Sequence, residues 1–90
     1  MVVWRPAARV DLLRIVRHIA EENPFAARRV GRELVLTIDS LETFPYRGRR
    51  GRISGTRELV AIAPYVVVYD VAEEGTVFIL RIWHGAQERP

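Results

Sequence analysis

The amino-acid sequence predicts an α+β fold in the order β-α-α-β-β-β: an N-terminal helical hairpin packed on one face of a small, mainly antiparallel sheet. Three observations carry this expectation. Apolar residues recur at helical spacing through two consecutive segments of the first half. Asn23-Pro24 interrupts that pattern with no linker. From Thr56 onward the apolar pattern alternates with strand periodicity, in segments separated by turn residues. At 90 residues the chain reads as a single domain over 1–90. A chain of this length buries only about 60–65% of its unfolded surface.

Val2–Trp4 reads as a short strand, and Pro6 suits the first turn of a helix, where its missing N–H costs nothing. From Ala7 to Glu22 the stripe is Ala8, Leu12, Ile15 and Ile19, widened by Val16, with Arg9, Asp11, Arg14, Arg17 and Glu21 mostly off it. Asn23 then caps the second helix and Pro24 opens it. Its stripe is Ala27, Val30, Leu34, Ile38 and Leu41, and it ends before Pro45. Two helices joined this tightly form an antiparallel hairpin.

Thr56–Ile62, Tyr65–Val71 and Thr76–His84 are the remaining strands, joined by turns at Ala63-Pro64 and at Ala72–Gly75, where Gly75 can take positive φ. The last two are apolar on both faces over much of their length, as central strands are. Strict alternation places Val77, Ile79, Arg81 and Trp83 on one face and Phe78, Leu80, Ile82 and His84 on the other. The Phe78–Leu80–Ile82 face is expected to be the core. Trp4 and Trp83 are expected to be packing anchors, and His18 a surface residue.

The charge is distributed unevenly. Residues 1–46 carry seven arginines against six acids, residues 47–57 five arginines and no acid, and residues 58–90 two arginines against five acids. The stretch YRGRRGRISGTREL, Tyr46–Leu59, therefore outweighs the formal net charge of +3 by itself. All 14 basic residues are arginine, so no lysine is present to act as a base and every cation is a planar donor fork. Glycines at 48, 51 and 55 make this segment read as a pliable loop, except at Arg57, which a strand start would hold in place.

Several chemistries are excluded. Without cysteine there is neither a disulfide framework nor a thiolate metal site, and two histidines, His18 and His84, make a zinc site unexpected. No apolar run approaches the ~20 residues of a membrane span, and the N-terminus lacks signal-peptide features. A cytoplasmic protein without cofactor is expected. There is no glycine-rich phosphate fingerprint, paired-carboxylate signature or nucleophile elbow. His84, at a strand end beside Trp83, is the candidate acid or base.

The segments DLLRIVRHIAEENPFAA, FPYRGRRGRISGTREL, PYVVVYDV and ILRIWHGAQ, in this order and spacing over nearly the whole chain, resemble toxins of the RelE/ParE superfamily from bacterial type II toxin–antitoxin systems. The resemblance implies the fold derived above and a cognate antitoxin whose C-terminal segment folds over the toxin. It also implies one of two activities. RelE-like members cut mRNA on the ribosome and carry an arginine in a YRLVY-like strand. Here that run is YVVVY, with Val66 at the corresponding position, which leaves Arg57, Arg81 and His84 as a reduced catalytic set. GTREL, PYVVVY and IWHGAQ are more similar to the ParE branch, whose members poison DNA gyrase by binding it and need no acid–base pair. The implied partner-binding residues are Arg47, Arg49, Arg50, Arg52, Arg57, Arg81, Trp83 and His84, with no metal, cofactor or membrane involvement and no sequence-specific DNA binding by the toxin alone.

Overall fold

The computed structural model describes residues 1–85. Strand β1 (Val2–Trp4) leads into helices α1 (Pro6–Ala20) and α2 (Pro24–Asp39), and α2 continues into a single 3-10 turn, Ser40–Glu42. The chain then builds β2 (Arg49–Arg50), β3 (Arg57–Ile62), β4 (Tyr65–Val71) and β5 (Val77–His84). These form a five-stranded sheet in the order β1-β5-β4-β3-β2, antiparallel except where β1 runs parallel to β5. The strands that are apolar over most of their length, β4 and β5, occupy central positions.

Both helix starts follow from local chemistry. Pro6 occupies the first turn of α1, and the Arg5 carbonyl accepts the first helical bonds from the N–H groups of Ala8 and Arg9. At α2 the Asn23 side-chain oxygen accepts from the Ala26 N–H at 3.0 Å, and Pro24 follows. The stripe read from the sequence is buried in full: Ala27, Val30, Leu34, Ile38 and Leu41. Each of the larger ones stabilises the fold by about 1.5–3 kcal/mol through removal of apolar area from water. Gly75 takes φ of +97° in the turn between β4 and β5, where a side chain would be strained.

The face of β5 that enters the core differs from the expectation. The register passes from Val68↔Arg81 to Tyr69↔Ile79, so Leu80 is an extra residue bulged out of the ladder. The bulge changes which side of the sheet successive residues face. Val77, Ile79 and Ile82 therefore join the hairpin-side core, while Phe78 and Leu80 are only half-buried. The Arg5 guanidinium lies 4.7 Å over the Phe78 ring. On the sheet face away from the hairpin, Val66, Val68 and Trp83 are also buried.

Asp11 is the second departure: it is 5% exposed rather than facing solvent. β1 pairs with β5 only over Val77–Ile79, and the Arg5 N–H to the Ile79 carbonyl, 2.9 Å, extends that pairing by one bond. Beyond it, among the described residues, β5 has no strand on this side. The Asp11 carboxylate, projecting from α1, accepts from the Ile82 backbone N–H at 2.8 Å. It also accepts from Arg81 Nε at 2.8 Å and Nη2 at 3.0 Å, a bidentate fork. This hydrogen bond holds the Arg81 guanidinium further above its ordinary pKa, against a smaller opposing effect of burial.

Asp11→Ala is expected to destabilise the protein by about 2–3 kcal/mol, because it leaves a buried N–H unsatisfied and a guanidinium without its partner. Asp11→Asn, which keeps one carbonyl acceptor for Ile82, should cost less. Urea unfolding of both variants checks this ordering; equal losses would show that only the charge matters.

Candidate functional site

The arginine-rich segment is not a free loop. Arg49 and Arg50 form β2, pairing antiparallel with β3 in the register Arg49↔Glu58 and Arg50↔Arg57. Four buried or half-buried polar contacts, two at Tyr69 and two at Glu58, hold it. The Tyr69 hydroxyl accepts from the Gly48 N–H at 2.9 Å and donates to the Pro45 carbonyl at 2.8 Å. Gly48 has no room for a side chain, since a Cβ there would lie 2.7 Å from the Tyr69 oxygen and 2.9 Å from the Glu58 carbonyl. Glu58, 4% exposed, accepts from Arg49 Nη2 and from the Arg52 backbone N–H, each at 3.2 Å. The Gly51 N–H to the Thr56 carbonyl, 2.8 Å, closes the turn between β2 and β3.

The arginines divide by partner. Arg47 donates to Ser40 Oγ at 2.6 Å, and Arg49 is bound to Glu58. Arg57 donates to the Gly48 carbonyl at 2.9 Å, and its guanidinium lies 4.9 Å over the exposed Tyr46 ring. Arg50 and Arg52 have no side-chain partner among the described residues. A cleft of about 390 Å³ lies here, lined by Tyr46, Arg50, Ser54, Thr56, Arg57 and Val71, with no carboxylate in its wall among the described residues.

The second group of candidates lies along α1 and the C-terminal half of β5. Arg81, Trp83 and His84 line a cleft of about 360 Å³ together with Arg14, His18 and Tyr65. The Tyr65 and His84 rings meet edge-on with centroids 5.5 Å apart. His18 is exposed, as expected, with Nδ1 3.5 Å from Glu21 Oε1. The fork of Arg81 is turned to Asp11 on the cleft floor.

Arg57, Arg81 and His84 do not converge. Arg57 pairs with Tyr69 at one end of β4 and His84 with Tyr65 four residues away, roughly 13 Å at about 3.3 Å per residue. Arg57 and Arg81 each direct guanidinium N–H groups at internal acceptors rather than at a common point. The sequence reading missed Asp11, Glu58 and Tyr69, the three groups that set these arginines in place. A carboxylate or phenol recruited to the interior looks the same in sequence as one on the surface. The one available signal was Glu58, a lone acid on a strand flanked by five arginines.

Burial raises the Tyr69 pKa above its ordinary 10.0, opposed in turn by the Gly48 N–H and by the Arg57 and Arg47 charges. The folded state therefore holds this proton more tightly than the unfolded chain. The associated stability is complete below pH 10 and is lost as pH rises through the folded-state value. Tyr69→Phe should cost about 1–3 kcal/mol near neutral pH, where Gly48 N–H loses its acceptor. It should also remove this alkaline contribution. Unfolding curves of both proteins at about pH 8 and about pH 11 measure both effects; an unchanged alkaline loss in the variant would assign it to another group.

The whole chain matches known proteins. Residues 2–89 match the model of the ParE toxin of the type II toxin–antitoxin system parDE. Toxin RelE2 of Caulobacter vibrioides is 43% identical over 86 residues, which is 96% of each chain. A putative toxin, Y4kP, of Sinorhizobium fredii is 38% identical, over 97% of this chain and 90% of that one. The fold superposes on the chromosomal ParDE toxin–antitoxin system from P. aeruginosa with a TM-score of 0.82, 24% identity and 92% coverage of both chains. It also superposes on the toxin–antitoxin complex RelBE2 from Mycobacterium tuberculosis with a TM-score of 0.67 and 27% identity, over 93% of this chain and 95% of the other. With a family model spanning nearly its full length and relatives well above 30% identity, this chain belongs to the ParE toxin family of type II toxin–antitoxin systems.

Proposed function

We propose that the protein arrests bacterial growth from the cytoplasm by binding and poisoning DNA gyrase, and that a cognate antitoxin neutralises it by covering its contact surface. What favours a binding toxin over a cleaving one is the separation of Arg57, Arg81 and His84, two of which direct their donors at internal acceptors. RNA cleavage by 2′-oxygen attack needs a base, a cation and a proton donor around one phosphate. A gyrase ligand needs only a rigid, complementary surface. Arg47, Arg49, Arg50, Arg52 and Arg57 on the β2–β3 edge, with Arg81, Trp83 and His84 along β5, are that surface.

A second reading is ribosome-dependent mRNA cleavage, favoured by the RelE names of the Caulobacter relatives. The two separate in vitro. With purified protein, gyrase supercoiling should be inhibited or cleaved DNA should accumulate, and antitoxin should reverse the effect. Cleavage of ribosome-bound mRNA with gyrase unaffected would reverse the assignment. The double variant Arg49→Glu, Arg52→Glu should weaken growth arrest, antitoxin binding or both, since two charges on this edge are inverted. Antitoxin affinity should also fall as salt rises. If toxicity and antitoxin binding both survive intact in the variant, the edge is ordinary solvated surface.

A further inference from the structure

We infer that the β2–β3 turn is a phosphodiester-binding site through which the toxin grips a nucleic-acid backbone without reading its sequence. The inference rests on the charge geometry of the turn and stands apart from the choice of gyrase as target.

Arg50 and Arg57 are direct cross-strand partners, so their side chains leave the ribbon on the same face. Like charges placed directly opposite one another destabilise a sheet pair. On the other face the pairing is matched, with Arg49 opposite Glu58 and bonded to it at 3.2 Å. Among the described residues, the cleft on the Arg50–Arg57 face contains no carboxylate to offset the repulsion. Arg57 is held there by the Gly48 carbonyl and the Tyr46 ring, which fixes its position but adds no negative charge. A bound oxyanion would relieve the repulsion and accept from both forks. The Ser54 hydroxyl lines the same cleft, and Arg52, exposed and unpartnered among the described residues, follows immediately in the turn. Because Tyr69 binds the Gly48 N–H and Glu58 the Arg52 backbone N–H, the strand that carries Arg50 is formed before any ligand arrives.

The surroundings favour a nucleic-acid backbone over an acidic polypeptide. Protein interfaces draw most of their affinity from apolar or aromatic anchors in desolvated pockets. This cleft offers Val71 as its one aliphatic side chain. An apolar groove suited to a polypeptide lies on the outer side of the hairpin, lined by Leu13, Val16, Val35 and Leu36. Backbone binding needs spaced cations, and its affinity comes from release of condensed counterions. Tyr46, which lines the cleft and carries Arg57 over its ring, and Phe44, which lines an adjoining cleft with it, are each 62% exposed, and the Phe44 ring and the open face of Tyr46 can stack an unpaired base.

The test is fluorescence anisotropy of labelled 20-mer single- and double-stranded oligonucleotides of unrelated sequence, titrated with the full chain at several salt concentrations. Binding should be independent of sequence. In Arg50→Gln, Arg52→Gln the affinity should fall several-fold, and the log–log salt slope should flatten by about one to two units, as expected for two lost phosphate contacts. Arg28→Gln, Arg32→Gln removes the same net charge from the hairpin and should retain most of the affinity. Arg50→Lys should recover part of the loss, with circular dichroism confirming that each variant is folded. Equal weakening by the hairpin pair would overturn the site in favour of diffuse attraction by a basic protein. No oligonucleotide binding at low salt would also overturn it. So would Arg50-dependent capture of labelled poly-glutamate in place of the oligonucleotides, which would assign the cleft to an acidic polypeptide. A gyrase-negative result leaves this measurement unaffected, so the two readings fail separately.

Discussion

The architecture turns on a single buried carboxylate. A three-residue β1 cannot accompany an eight-residue β5 along its whole length, and a central strand with one open edge would leave backbone N–H groups without partners in the interior. Asp11 resolves this from outside the sheet. It takes the place of a missing strand at Ile82 and at the same time locks Arg81 in a bidentate fork. The contact joins residues 71 positions apart, so it fixes how the hairpin lies on the sheet. Apolar packing between α2 and β4 has no such directional requirement.

The same device recurs at the other side of the sheet. Tyr69 and Glu58 are interior polar groups whose partners are the backbone and side chains of the arginine segment. Unpaired, each would cost more than it contributes; paired, each converts a glycine-rich stretch into an edge strand with defined side-chain directions. Gly48 is part of this arrangement, because only a residue without Cβ lets the backbone approach the Tyr69 oxygen so closely. A basic segment with fixed geometry differs physically from a basic tail. It pays its ordering entropy on folding rather than on binding, and it can distinguish partners by the spacing of their charges.

These interior anchors also set where the basic side chains stand. Arg81 is held on Asp11 through Nε and Nη2, and Arg57 is held through Nη1 on the Gly48 carbonyl. A catalytic cation has to be held by some of its donors while others face the reacting phosphate alongside a base and an acid. Here Arg57 and Arg81 lie opposite Tyr69 and Val68 while His84 lies opposite Tyr65, and the bulge at Leu80 turns Ile79 and Ile82 into the core. Two separate clefts, one lined by Arg81 and His84 and the other by Arg50 and Arg57, divide the candidate residues between them.

Much of this was legible in the sequence because it depends on short-range rules. Helical spacing of Ala27, Val30, Leu34, Ile38 and Leu41, the Asn23-Pro24 cap and the apolar runs Tyr65–Val71 and Val77–His84 determined the element types, the hairpin and the central strands. Charge bookkeeping located the basic segment between residues 47 and 57. Tertiary structure alone decided the rest. A bulge depends on how two distant strands come into register, so alternation within β5 could not reveal that Val77 and Ile79 share a core with Ile82. Whether Asp11 faces solvent or the strand edge depends on where β1 stops relative to β5, a fact absent from either segment. For the same reason a run of arginines and glycines read as a loop becomes β2 only when Tyr69 and Glu58, distant or on a neighbouring strand, supply the hydrogen bonds it lacks by itself. Local periodicity is a property of the chain, whereas the satisfaction of a buried polar group is a property of what the fold brings beside it.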